Sequence, residues 1–196
     1  MPSVCIVPRV DGLAGPASFR LKFEDGLRAH NVDVTHDPSQ TSDAILVLAG
    51  TRHLFPLWKA RSRGGRIMQR LDGINWVHKK HNTGLKHYLR AEYGNFILSL
   101  IRSRIATNVI YQSEFSRKWW EDWYGTTRVP SSVIHNGVDL NVYSPAKQDA
   151  TPASPPYKLL LVEGSLGGGY DMGLDNAIQL TEILQTKHNL QIELVV

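Results

Sequence analysis

A single cysteine, Cys5, is all the thiol chemistry in this 196-residue sequence. One cysteine cannot build a disulfide framework, so a reducing compartment is expected. No apolar run approaches the roughly 18 residues that would span a bilayer. The opening MPSVCIVPRV lacks the charged start and apolar centre of a secretory signal. A cytoplasmic protein is therefore expected. Acids are scarce in one region. Between Arg52 and Arg104 only Asp72 and Glu92 stand against twelve Lys or Arg, whereas the rest of the chain holds ten bases and sixteen acids. A basic surface of this kind attracts phosphates, whether of nucleic acid, anionic lipid or a sugar nucleotide. A plain solvated basic face is the other reading. Metal-ligand spacing is also poor, since His78 and His81 lie three apart with no acid or cysteine beside them. What remains is ordinary: 42% apolar and 20% charged residues suit a globular fold, and the length suits one domain plus a smaller part.

What is present reads as alternating strands and helices, hence an α/β protein with a Rossmann-like parallel sheet covered by helices on both faces. Residues 4–10 form a first apolar strand. The small-residue loop 11–18 follows, then a helix whose buried stripe is Phe19, Phe23 and Leu27, with Leu21 beside it. Gly12 and Gly15 make this loop a candidate anion site, because a helix N-terminus offers free amides and a positive dipole. It lacks G-x-G-x-x-G, and an ordinary tight turn is the competing reading. Short strands are expected at 32–34 and 43–49, a helix at 53–61, and a strand at 66–71 that delivers Asp72 and Gly73. Ligands sit outside the carboxyl ends of such strands, so Asp72 is a candidate acceptor for a ligand hydroxyl, with a turn-forming role as the alternative. Residues 74–84 read as a mobile basic loop. Residues 85–105 read as one long helix burying Leu85, Tyr88, Leu89, Phe96, Ile97, Leu100 and Ile101, with Lys86, Arg90, Arg102 and Arg104 on other faces.

The most informative stretch runs from Val109 to Pro145. A strand, 109–111, leads to Ser113 as N-cap and Glu114 in the first helical turn. Phe115, Trp119, Trp120 and Trp123 recur at helical spacing, Gly125 stops the helix, and a strand at 132–135 runs into Asn136-Gly137. The ordered set Ser113-Glu114-Phe115-Ser116, Gly125, Asn136-Gly137-Val138-Asp139, Tyr143 and Pro145 resembles the end of the N-terminal domain of family 4 glycosyltransferases, which have the GT-B fold. Members often carry a His near the end of the fourth strand, where this chain reads Arg70-Leu71-Asp72-Gly73.

The resemblance implies an N-terminal, acceptor-side domain over 1–145, a linker over 146–156 rich in Ala and Pro, and the start of a donor-side Rossmann-like domain over 157–196. That second part is expected to be incomplete, and the chain alone inactive. The implied chemistry is retaining, metal-independent transfer of a sugar from a nucleotide-sugar donor to a saccharide or lipid-linked acceptor, with no cofactor. Gly12, Gly15, Asp72, Ser113, Asn136, Gly137 and Asp139 would face the substrates, and Gly164, Ser165 and Gly168 the donor phosphates. Members usually read Gly-Arg-Leu at that donor loop, whereas this chain has Gly164-Ser165-Leu166 and no Lys after it. The basic third adds an expected peripheral contact with the inner face of an anionic membrane. No nucleic-acid partner is expected, because no strand interleaves aromatic and basic residues for base stacking. The alternative function is a non-catalytic Rossmann-like module binding nucleotide or nucleic acid.

Overall fold

A computed structural model of the chain describes residues 1–12, 15–144, 154–162 and 172–196. They divide into two units, Met1–Gly137 and Val138–Val196. In the first, strands β1 (Ser3–Val7), β2 (Asp33–Thr35), β3 (Ala44–Leu48), β4 (Arg66–Leu71), β5 (Asn108–Tyr111) and β6 (Ser131–Val133) form one sheet. Every pairing is parallel, in the order β2-β1-β3-β4-β5-β6. The helices are α1 (Gly15–Ala29), α2 (Leu54–Ser62), α3 (Val77–Lys80), α4 (Leu85–Leu100) and α5 (Glu114–Tyr124). The expected α/β, Rossmann-like architecture is thus the observed one.

The sequence of the central strands explains the layering. β1 and β3 are apolar at consecutive positions because helices cover both faces of the sheet. On one face Cys5, Val7, Ile45, Val47 and Ile67 pack with Leu57 of α2 and Ile97 of α4. On the other, Ile6, Leu46 and Leu48 pack with Phe19 and Leu27 of α1. Strand order reverses between β1 and β3, and a crevice opens at the carboxyl ends of a parallel sheet at such a point.

Three helices bury different residues from those their periodicity predicts. On α1, Phe23 and Leu21 are exposed while Ala17, Arg20 and Glu24 are buried. On α4, Leu85, Tyr88, Leu89 and Phe96 are exposed, and Ala91, Asn95, Ile97 and Leu98 face inward. Apolar residues there are numerous enough to draw two stripes, and spacing alone does not say which one meets the sheet. On α5, Phe115 and Trp123 are exposed and Trp120 is fully buried. The long helix also does not run unbroken to Ile105, for Ile101–Ile105 form a π-helical turn. Arg102 within it is buried, donating from Nε to the Tyr111 hydroxyl (2.9 Å) and from Nη2 to the Gly125 carbonyl. It is therefore a core residue and offers nothing to a lipid surface. The 74–84 segment holds the short helix α3, whose buried His78 lies 2.6 Å from Glu92 Oε1.

In the second unit, β7 (Tyr157–Leu160) and β8 (Ile192–Val195) pair in parallel, with Tyr157 opposite Ile192, and α6 (Met172–His188) lies between them in sequence.

The hold of α5 on the sheet can be tested by two substitutions. Ser113 Oγ accepts from the Ser116 amide at 3.0 Å, so Ser113→Ala is expected to cost about 1 kcal/mol. Trp120→Ala removes a large side chain with no exposed surface, and about 3–5 kcal/mol is expected. Urea unfolding measures both, and a Trp120→Ala cost no larger than that of Ser113→Ala would contradict this packing.

Candidate functional site at the carboxyl edge of the sheet

Polar side chains converge where β4, β5 and β6 end. Residues 68, 70 and 72 alternate with Ile67, Gln69 and Leu71 along β4 and its exit, so Arg70 points to the face opposite the buried three. Its Nη2 donates to Gln112 Oε1 at 3.1 Å and to Asn136 Oδ1. Asn136 Nδ2 donates in turn to Gln112 Oε1 at 3.3 Å. The guanidinium carbon lies 3.8 Å from the centre of the Phe19 ring, a cation–π contact that holds the plane of the fork. Burial lowers the pKa of Arg70, and the nearby Asp72 carboxylate acts in the opposite sense.

Asp72 follows directly. Its carbonyl accepts from Ser116 Oγ and from Trp120 Nε1 (2.9 Å), both on α5. Gly73 is next, and a Cβ there would stand 3.2 Å from the Trp119 ring. The chain therefore leaves the sheet along a fixed path. Burial raises the Asp72 carboxyl above the ordinary carboxylate value, while its own backbone amide and Arg70 act to lower it.

The residues picked out from sequence separate here. Asp72 and Asn136 each approach Arg70. Ser113 is occupied as the N-cap of α5. Gly12 has φ +117°, a conformation L side chains rarely adopt, and Gly15 opens α1 with no atom within 4 Å of a would-be Cβ. Gly137 is exposed and similarly uncrowded. Asp139 belongs to the second unit, where its Oδ1 accepts from the Asn141 amide (2.9 Å) in a local turn. Gly164, Ser165 and Gly168 lie outside the described residues.

Three groupings escaped sequence reasoning. Arg70 and Gln112 had one available signal, namely polar residues beside the ends of two central strands. Arg20 and Glu24 gave none, since an Arg four residues before a Glu is ordinarily a solvated helical pair. In the fold Arg20 bonds Glu24 Oε1 (2.6 Å), the Val10 carbonyl (3.0 Å) and Asp11 Oδ1 (3.3 Å), tying the loop after β1 to α1. His36 completes the group, with Nδ1 donating to the Ile6 carbonyl (2.9 Å) and Nε2 3.4 Å from Glu24. The third grouping is His78 with Glu92 and Lys79, and those two bonds hold the Glu92 carboxyl below its ordinary range. Among the described residues no three His, Cys, Asp or Glu are grouped as metal ligands, and no helix is long and apolar enough to cross a membrane.

Compared with known families, the chain matches the model described as Glycosyltransferase Family 4 over residues 3–142. No curated protein was found to match the chain.

The raised Asp72 carboxyl has a signed consequence. A carboxyl that binds its proton more tightly folded than unfolded costs stability once ionised. The cost is absent below the unfolded value, near 3.8, and is fully present above the raised folded value. Asp72→Asn removes it, so the gain in melting temperature over the parent protein should be near zero in acid and positive at neutral pH. A gain that is equal at both, or larger in acid, would refute the assignment.

Proposed function

Because the chain belongs to Glycosyltransferase Family 4, we propose that its first unit is the acceptor-holding side of an enzyme moving a sugar from a nucleotide-sugar donor to a saccharide or lipid-linked acceptor. The observation that carries this reading is the fork of Arg70 held between Gln112, Asn136 and Phe19 at the carboxyl edge of a parallel sheet. A sugar presents several hydroxyls, each a donor and an acceptor. Guanidinium N–H groups and the Gln112 and Asn136 amides suit the acceptor oxygens, and the Asp72 carboxyl suits a hydroxyl proton. A substrate held by such fixed partners loses its freedom before reaction, which lowers the barrier.

Residues 1–145 take the acceptor role in this reading, 146–156 the linker and 157–196 the opening of the donor side, with Gly164, Ser165 and Gly168 toward the diphosphate. Transfer proceeds with retention and with no metal in the chemical step. Gly12 and Gly15 bring the N-terminus of α1 near the leaving diphosphate, where backbone amides and the helix dipole stabilise growing negative charge. The exposed Lys86, Arg90 and Arg104 favour work at the inner face of an anionic membrane, where each basic group contributes about 1 kcal/mol.

The test follows amide resonances of the chain during titration with a panel of saccharides and prenyl-phosphate-linked sugars. At least one is expected to shift Asp72, Gln112 and Asn136. Arg70→Ala is expected to bind it about tenfold or more weakly, since a hydrogen bond to a charged group is worth about 1.5–3 kcal/mol. No acceptor shifting those three resonances, or equal binding by Arg70→Ala, would overturn the reading.

A further inference from the structure

The amino edge of the sheet carries a concavity at the far end of β4 from the candidate acceptor residues. A cleft of about 550 Å³ is lined by the 38–43 segment leading into β3, by α2, and by the Gly64–Gly65 turn leading into β4. β4 separates it from Asp72, and six residues at roughly 3.3 Å each span about 20 Å. The two places lie at opposite edges of one sheet and do not share a ligand.

The charge at this cleft is one-sided. Lys59, Arg63 and Arg66 line it and are exposed. Among the described residues none of the three is paired with a carboxylate. Arg61, on the same helix, shows the contrast, since its Nη1 is occupied by the Ile105 and Ala106 carbonyls at 2.9 and 2.6 Å. The one acid in the lining is Asp43. Its Oδ2 accepts from the Ser3 amide at 2.7 Å and the Ser3 hydroxyl at 3.0 Å. Those bonds hold its pKa below the ordinary value, and it makes no ion pair with the three cations among the described residues.

Two further features shape the cleft. The Ser42 hydroxyl is buried, lines the same wall and has no hydrogen-bond partner. Buried hydroxyls without partners are uncommon. Gly65 keeps the turn free of a side chain, because a Cβ there would lie 2.8 Å from the Ala60 carbonyl oxygen. At the rim Phe55 is 70% exposed and stacks on the exposed Trp58, 6.4 Å between centroids. This aromatic pair shares α2 with Lys59, and Arg63 caps the same helix.

We propose that this cleft is a phosphate-ester site, separate from the sugar-transfer edge, in which Lys59, Arg63 and Arg66 hold the phosphate and Phe55 with Trp58 covers the organic part. Arginine's planar fork matches two phosphate oxygens at once, and a lysine adds a mobile point charge. The ester is either a small soluble one or a phospholipid headgroup, since both present the same charge and differ only in what the aromatic pair meets.

Titration of the 196-residue chain with glycerol 3-phosphate, read by amide resonances, tests the site. Shifts are expected at Ser42, Gly64 and Gly65, with affinity falling at least tenfold in Lys59→Ala/Arg63→Ala and unchanged in Arg70→Ala. The paired substitutions are at exposed positions, and their spectra report directly whether the fold is kept. Co-sedimentation with phosphatidylglycerol vesicles then names the source. Vesicle binding lost in Phe55→Ser/Trp58→Ser assigns a headgroup, while glycerol 3-phosphate binding without vesicle binding assigns a soluble ester. No shift at Gly64 and Gly65, or shifts that survive undiminished in Lys59→Ala/Arg63→Ala, would overturn the proposal.

Discussion

Two hydrogen bonds from α5 to one carbonyl organise the carboxyl edge of the sheet. The carbonyl of Asp72 stands just past the end of β4, where it is no longer part of the strand, and Ser116 Oγ and Trp120 Nε1 both donate to it. A carbonyl oxygen has two lone pairs, and here both are used. With that acceptor satisfied, the chain can turn away at Gly73 without leaving a buried polar group unpaired. The Gln112 amide donates to the Leu71 carbonyl at 3.2 Å, so the exit of β5 is set against the exit of β4. Arg70 then finds Gln112 and Asn136 within reach. Loss of the indole would disturb that alignment as well as the packing.

Polar groups inside the first unit do a similar job elsewhere. Gln69 is fully buried, and its Nε2 donates to the Ala49 carbonyl (2.7 Å) and the Leu98 carbonyl (3.1 Å), joining the exit of β3 to α4. Arg20 and Glu24 join the exit of β1 to α1, and Arg102 joins the π-helical turn to β5 and to the end of α5. Replacing such groups with well-packed apolar ones is often neutral for stability. Their hydrogen-bond directions, by contrast, admit few alternative arrangements. Each of the three bonds to a strand end or to the loop beyond it.

Much of the architecture was legible because the strands are short apolar runs separated by Gly, Asn and Asp. The 66–71 strand and the helix cap at Ser113 are present as read. What was not legible was orientation. α4 carries apolar residues on more than one face, so its inward side depends on the sheet it meets, and a period of 3.6 cannot supply that. Spacing places Phe23 in the core, whereas the buried positions of α1 are Ala17, Arg20 and Glu24, because His36 and the loop after β1 supply polar partners that lie far away in sequence. At the candidate site Asp72 is legible from its place at a strand end, and Asn136 from the family resemblance. Arg70 and Gln112 are not legible in the same way, because Arg70 lies 42 residues from Gln112 and 66 from Asn136 in sequence.

The order of the sheet also governs how the first unit can assemble. Val4 stands beside Ala44, Ala44 beside Arg66, and Met68 beside Asn108. None of these neighbours is joined by a hairpin, and each pairing must close a long loop before any ladder bond forms. Loop closure costs entropy early, and the ladder returns enthalpy late, so topologies dominated by distant pairings fold slowly. The helices can form locally in the meantime, and α4 then shows water the same Leu85, Leu89 and Phe96 it shows when folded. For this chain the interval between collapse and strand alignment is the time when it is most prone to self-association.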